Sequence, residues 1–207
     1  MPYQPSPGIQ AALGPVTSLL AAARPIDRWF KRQPRFLGVL PGGEVLLDSE
    51  LQLDTDGYDG APGHMDATHQ SQTSLRYSHG ASVDANQVPY FVLPSPAPWL
   101  DALGVRTGDY ALVQYGGHRS AAVLADRGGE NKIGEGSLAL FRALGEERLN
   151  QVGGVRDYGM GPGVVTIVFP GSGKGQRHFP DQGALLADLD AVVAQRWDAL
   201  TRSAGGR

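Results

Sequence analysis

Short apolar runs broken by glycine and proline fill the middle of this chain, and one long amphipathic stripe closes it. Strands are predicted at 36–40 and 44–48, on either side of Pro41-Gly42-Gly43, and at Val88–Pro94. Tyr110–Tyr115 and His118–Ala125 read as a hairpin across the two-residue turn Gly116-Gly117. Thr73–Tyr77 reads as a further strand. Val164–Phe169 is the most hydrophobic run and reads as a central strand. Helical segments are predicted over 11–23, entered after Pro15 and stopped before Pro25, with one more turn over Ile26–Phe30. Trp99–Leu103 reads as a short helix ended by Gly104. Ser137 suits the N-cap of a helix carrying Leu138, Leu140, Phe141 and Leu144, and Gly145 ends it. Over 181–202, Leu185, Leu186, Leu189, Val192, Val193, Trp197 and Leu200 form one apolar stripe. Residues 1–10 are Pro-rich and read as mobile; 150–163 are Gly-rich and read as a loop.

Many short strands with tight turns and helices at the two ends imply a mainly β (α+β) fold, an antiparallel-rich β-barrel with its helices outside. Residues 1–30 read as an N-terminal helical arm, and 31–207 as the barrel domain with its C-terminal helix. The length, 207 residues with 41% hydrophobic content, is ample for one core.

Composition removes several chemistries. With no cysteine, there is no disulfide, thiolate nucleophile or cysteine-zinc site. The net charge of −3 comes with no basic stripe, so nucleic acid is not an expected partner. No apolar run reaches membrane-spanning length, so no membrane partner is expected. No conventional signal peptide is readable at the N-terminus.

Candidate chemistry centres on 118–144. A strand of small residues delivers Asp126, a polar Gly-rich loop follows, and Glu135 stands before an apolar helix. Two carboxylates on the rims of one loop suit an acid and a base facing each other across a substrate bond. The same residues also serve elsewhere as a turn former and a helix-dipole partner. Asp54-Thr-Asp56-Gly57-Tyr-Asp59 resembles the start of a calcium loop, but the twelfth position is Met65 where an EF-hand needs Glu. An Asx-rich turn is the better reading, and no metal or other cofactor is expected. His64 and His69, five apart with no third ligand, read as surface histidines. Pro170-Gly-Ser-Gly-Lys174-Gly lacks the spacing of a phosphate loop and reads as a turn.

Several ordered pieces together resemble glycoside hydrolase family 75, the fungal-type chitosanases. They are Asp54-Thr-Asp56-Gly57, Gln72-Thr73-Ser74, Asp84-Ala85 with Val88–Pro94, Gly108-Asp109-Tyr110, Asp126, and Gly134-Glu135-Gly-Ser137-Leu-Ala-Leu. The resemblance covers about residues 36 to 145. It implies a double-psi-like β-barrel and an inverting endo-glycosidase acting on chitosan, a polysaccharide of β-1,4-linked amino sugars. It implies Asp126 and Glu135 as the essential carboxylates, with Asp126 assigned as acid and Glu135 as base; the sequence does not separate the two roles. Asp54, Asp56, Gln72, Thr73, Asp84 and Asp109 become candidates to line the groove and bind substrate, a solvated turn being the simpler reading for Asp109. The resemblance also implies a secreted or exported protein. Arg127, the missing cysteines and the unmatched terminal helices depart from the family pattern. Two other readings remain open: a peptidoglycan hydrolase exported as a toxin or lysis protein, and a non-catalytic glycan-binding barrel. The acid pair is expected to face an open groove, unburied, without pairing to Arg127 or Lys132.

Overall fold

The computed structural model describes residues 2–60, 65–146 and 158–206. Its order is α1 (Pro7–Ala12), a 3-10 turn (Gly14–Val16), α2 (Thr17–Ala21), β1 (Arg24–Pro25), β2 (Phe36–Val39), β3 (Val45–Asp54) and β4 (Tyr90–Pro94). Then follow α3 (Pro98–Ala102), β5 (Tyr110–Tyr115), β6 (His118–Gly128), β7 (Glu135–Ser137), α4 (Leu138–Ala143), β8 (Gly159–Phe169) and α5 (Gln182–Gly205). The strands form one sheet in the order β1-β2-β3-β7-β4-β6-β5-β8, and pairing of β3 with β8 closes six of them, β3, β7, β4, β6, β5 and β8, into a barrel. Pairing is antiparallel except for β3–β7 and β4–β6. The antiparallel-rich barrel with outer helices is the expected fold. Among the described residues, no helix is long and apolar enough to cross a membrane.

β3 organises the barrel because it changes partner halfway. Val45–Asp48 pair with β2, while Gln52–Asp54 pair with β7, and a break in register between Ser49 and Leu51 marks the changeover. β8 covers the opposite edge from Val45 to Gln52. With partners on both edges, β3 is apolar for much of its length (Val45, Leu46, Leu47, Leu51 and Leu53 are buried), as a strand covered on both faces must be. Alternation along the strands divides the apolar side chains between two clusters. Val165, Ile167 and Phe169 of β8 join α5 through Leu185, Leu189 and Val193. Val164 and Val168 join Leu138, Leu140 and Phe141 of α4 and Leu100 of α3.

The N-terminal arm belongs to the first of these cores: Ile9, Leu13, Val16, Leu19 and Leu20 are buried with the α5 residues. Residues 1–10 were expected to be mobile. Instead Pro7 opens α1 with Ser6 as its cap, and Tyr3 lies buried against Phe36, donating to the buried Asp48 at 2.8 Å. Ile26–Phe30 makes no helical turn, because Arg24-Pro25 has already joined β2 and Ile26 N–H donates to Leu37. Thr73–Tyr77 is no strand; it carries one isolated bridge, Arg76 to Ser82. Of the expected loop 150–163, residues 150–157 lie outside the described residues, and 159–163 belong to β8. The 170–175 turn serves structure: Ser172 accepts from the Tyr110 N–H, and Lys174 pairs with Asp188 at 2.6 Å.

Candidate active site

The middle of the groove is built on β4. Val92 pairs on one side with Glu135 of β7 and on the other with Asp126 of β6. Residues paired across adjacent strands point to the same face, so the two acids flank Val92 in one row. Asp126 reaches that row through a bulge. Phe91 pairs with Leu124 but Val92 with Asp126, leaving Ala125 as the extra residue, and bulges re-aim side chains in this way. The freed Ala125 carbonyl accepts from Leu75 N–H at 2.7 Å. That bond brings in Ser74, whose N–H (2.9 Å) and hydroxyl both donate to Asp126 Oδ1. Arg127 N–H adds a third bond at 2.7 Å.

Glu135 follows Gly134, whose φ of +78° turns the chain into β7. A Cβ there would stand 2.3 Å from the Glu50 carbonyl, so only glycine fits. Two residues on, Ser137 caps α4 by accepting from Leu140 N–H and also accepts from Tyr90 N–H, locking β7 against β4. Glu135 Oε1 accepts from Lys132 Nζ at 3.0 Å. The Lys132 ammonium is desolvated, yet its pKa is raised because Glu135 holds its charged form.

Asp54 and Asp56 join Asp126. The parallel β3–β7 pairing sets Gln52 beside Glu135 and carries Asp54 to the same end of the barrel. Beyond it the chain turns: Asp54 Oδ1 accepts from Asp56 N–H at 2.9 Å. The Tyr90 hydroxyl donates to the Asp56 carbonyl at 3.0 Å from beneath. Carboxylate oxygens of Asp54, Asp56 and Asp126 lie within 4.8 Å of one another, and all three residues are buried. Like charges that close in a dry site cannot all ionise. Burial first, then the charges of Asp126 and Glu135, push Asp54 up to about 7. Burial and the Asp54 charge raise Asp56 as well, and its carboxyl shares a hydrogen bond with Asp126.

These residues border an open groove of about 310 Å³, completed by Lys31, Thr68, Gln70 and the 127–132 loop. Two expectations are corrected here. Asp126 is buried, 7% exposed, because Ser74 and the bulge fold over it. Glu135 is paired with Lys132, because the loop between the acids folds back to bring the ammonium alongside. Asp54 and Asp56 line the groove; Gln72, Thr73, Asp84 and Asp109 are not among its lining residues. Gln72 is exposed and accepts from Arg76. Thr73 is buried between Leu75 and Val83, bonded to both backbones. Asp84 ties its own turn through Asn86 N–H and the Gln87 side chain. Asp109 accepts from Arg106 and Gly173 N–H groups, holding two turns together. His69 is half-buried beside Thr55 rather than on the surface, and His64 lies outside the described residues.

The residues missed from sequence are Ser74 and Lys132. Ser74 stood in the quoted Gln72-Thr73-Ser74 piece, but nothing local tied it to Asp126, which lies 52 positions away. A cation entering the acidic corner would meet three carboxylates, each with one oxygen already bonded to a backbone N–H. Calcium would need further oxygens, water among them, to reach the six to eight it takes.

A family model described as fungal chitosanase of glycosyl hydrolase group 75 matches residues 51–202. No curated protein matches the chain.

Proposed function

The chain belongs to the fungal chitosanases of glycosyl hydrolase group 75, and we propose that it cuts the β-1,4 bonds of chitosan with inversion, using Asp126 and Glu135 as its two carboxyls. Membership makes it a glycoside hydrolase of chitosanase type with a polysaccharide substrate. The observation that carries the mechanism is the shared pairing of both acids with Val92. Two strand spacings amount to about 9.5 Å between their backbones. Inverting enzymes hold their carboxyls roughly 6.5–9.5 Å apart, leaving room for a water, whereas retaining enzymes close them to about 5–5.5 Å. One intervening strand leaves the two carboxyls room to stand at the wider gap.

Asp126 acts as general acid and Glu135 as general base. Asp54 and Asp56, both buried and both raised, hold protons beside Asp126, and Asp56 hydrogen-bonds it directly. From that side a proton reaches the glycosidic oxygen. Lys132, 3.0 Å from Glu135, holds it in place for the role of base. It takes the proton of a water that attacks the anomeric carbon from the opposite face. The groove lining carries five acids, Asp54, Asp56, Asp126, Glu130 and Glu135, against the cations Lys31, Arg127 and Lys132. An ammonium group of a glucosamine polymer brought among the clustered carboxyls would favour their charged forms in place of the protons they hold.

The test is reducing-end release from chitosan by the parent, Glu135→Gln and Asp126→Asn, with the first-formed anomer read by NMR. Each substitution should cost about 10²–10⁴-fold in rate, and the parent should release the α-anomer. Full activity in both variants would remove the two acids from the mechanism. A first-formed β-anomer would remove inversion.

A further inference from the structure

We propose that Trp29, with Trp99 beside it, forms a sugar-stacking platform that extends the catalytic groove across the 128–131 loop and holds a distal unit of the polysaccharide. The proposal rests on the reading that the groove takes an amino-sugar chain. Trp29 is 65% exposed, the one large hydrophobic side chain so exposed among the described residues. Its backbone is held on both sides. Ile26 N–H donates to Leu37, and Lys31 N–H donates to the Asn131 carbonyl at 3.0 Å. The next residue, Phe30, is buried and meets Trp99 edge-on, with ring centroids 6.4 Å apart. An exposed indole on a pinned segment is a preformed surface, and ordering it on binding costs little.

Its surroundings suit a pyranose. Trp29, Phe30, Trp99 and two prolines line a depression of about 320 Å³, with Arg28, Glu130 and Asn131 at its polar edge. Aromatic rings set among polar groups fit a sugar ring, whose C–H face is apolar and whose hydroxyls lie at its edge. The occupant follows from continuity: Glu130 and Asn131 line this depression and the catalytic groove alike. A chain lying between Asp126 and Glu135 meets the platform on crossing that shared wall. Trp29 lies before the matched residues 51–202, so family membership does not assign it.

The experiment compares the parent, Trp29→Ala and Trp29→Phe on glucosamine oligomers, from the shortest that is cleaved up to long ones. Trp29→Ala should raise KM about threefold to tenfold on long oligomers, the factor expected for one lost aromatic stacking contact. It should leave kcat and the shortest substrate within twofold, and Trp29→Phe should recover most of the loss. An equal loss at every length overturns the platform, as does no loss at any length. So does a changed oligomeric state with unchanged kinetics. If the parent cleaves no chitosan oligomer, the proposed function fails separately. Retention on immobilised chitosan, chitin and peptidoglycan then decides: loss of the parent's retention in Trp29→Ala supports the platform, while equal retention, or none by the parent, overturns it.

Discussion

Replacing Asp54 by Asn should stabilise the protein at high pH and leave its stability at low pH almost unchanged. Asn keeps the shape of a protonated aspartate and still accepts from Asp56 N–H, but never needs to lose a proton. In the parent, burial and then the neighbouring carboxylates raise Asp54 from 3.8 to about 7. Between those values the folded state holds a proton that the unfolded state has released. Stability therefore falls as pH rises through this window, the contribution being fully present below 3.8 and lost above 7. A shift of about three units at about 1.4 kcal/mol each is an upper bound near 4 kcal/mol; relaxation around the site reduces it to about 2–4 kcal/mol. Other raised or lowered acids, Asp48 and Asp66 among them, add slopes of their own. The informative quantity is therefore the difference between variant and parent. Urea unfolding at pH 4, 6 and 8 measures it: close to zero at pH 4 and about 2–4 kcal/mol in favour of Asn at pH 8. A difference that stays flat with pH, or a variant less stable at pH 8, would refute the crowded-carboxylate account. The same variant should lose activity, because a residue that costs stability and lines the groove is kept for its chemistry.

Two other perturbations probe the site. Ser74→Ala removes the hydroxyl that donates to Asp126 while leaving both backbone donors in place; kcat should fall about tenfold with KM little changed, for a stability loss of about 1–2 kcal/mol, read from steady-state kinetics and urea melts. Saturating chelator should change neither melting temperature nor activity, and a melting temperature restored by calcium alone would make the acidic corner a metal site.

Legibility from sequence followed how local each determinant is. The β5–β6 hairpin was readable because Gly116-Gly117 supplies its turn, and α5 because its stripe repeats over many turns. β3 was read as ending at Asp48, with Asp54 in a turn. Its second half is held by β7 and β8, partners far along the chain, and a bulge hides the continuity. β7 escaped because three residues, Glu135-Gly-Ser137, show no period. Thr73–Tyr77 alternates like a strand, but its donors go to Ala125 and Asp126 instead of a ladder. Asp126 and Glu135 stood out as two acids on the rims of one loop, and the family resemblance implied their role. Asp84, Asp109 and Thr73 matched the same pattern, yet they serve turns and backbone. An ordered motif records both structural and groove-lining residues, and only the fold separates them.

The separation of the acid pair depends on the sheet and not on the loop that joins them in sequence. The backbones of Asp126 and Glu135 stand apart by the width of β4, about two strand spacings. The 129–134 stretch can therefore follow other demands. It supplies Lys132 to Glu135, a carbonyl at Asn131 that pins Lys31, and Glu130 and Asn131 as the wall between groove and aromatic depression. Chemistry is thus carried by strands and substrate contacts by the loop, the usual division when variable loops ride on a rigid scaffold. Altering Glu130 or Asn131 should therefore change the groove wall while the backbone positions of Asp126 and Glu135 stay with β4.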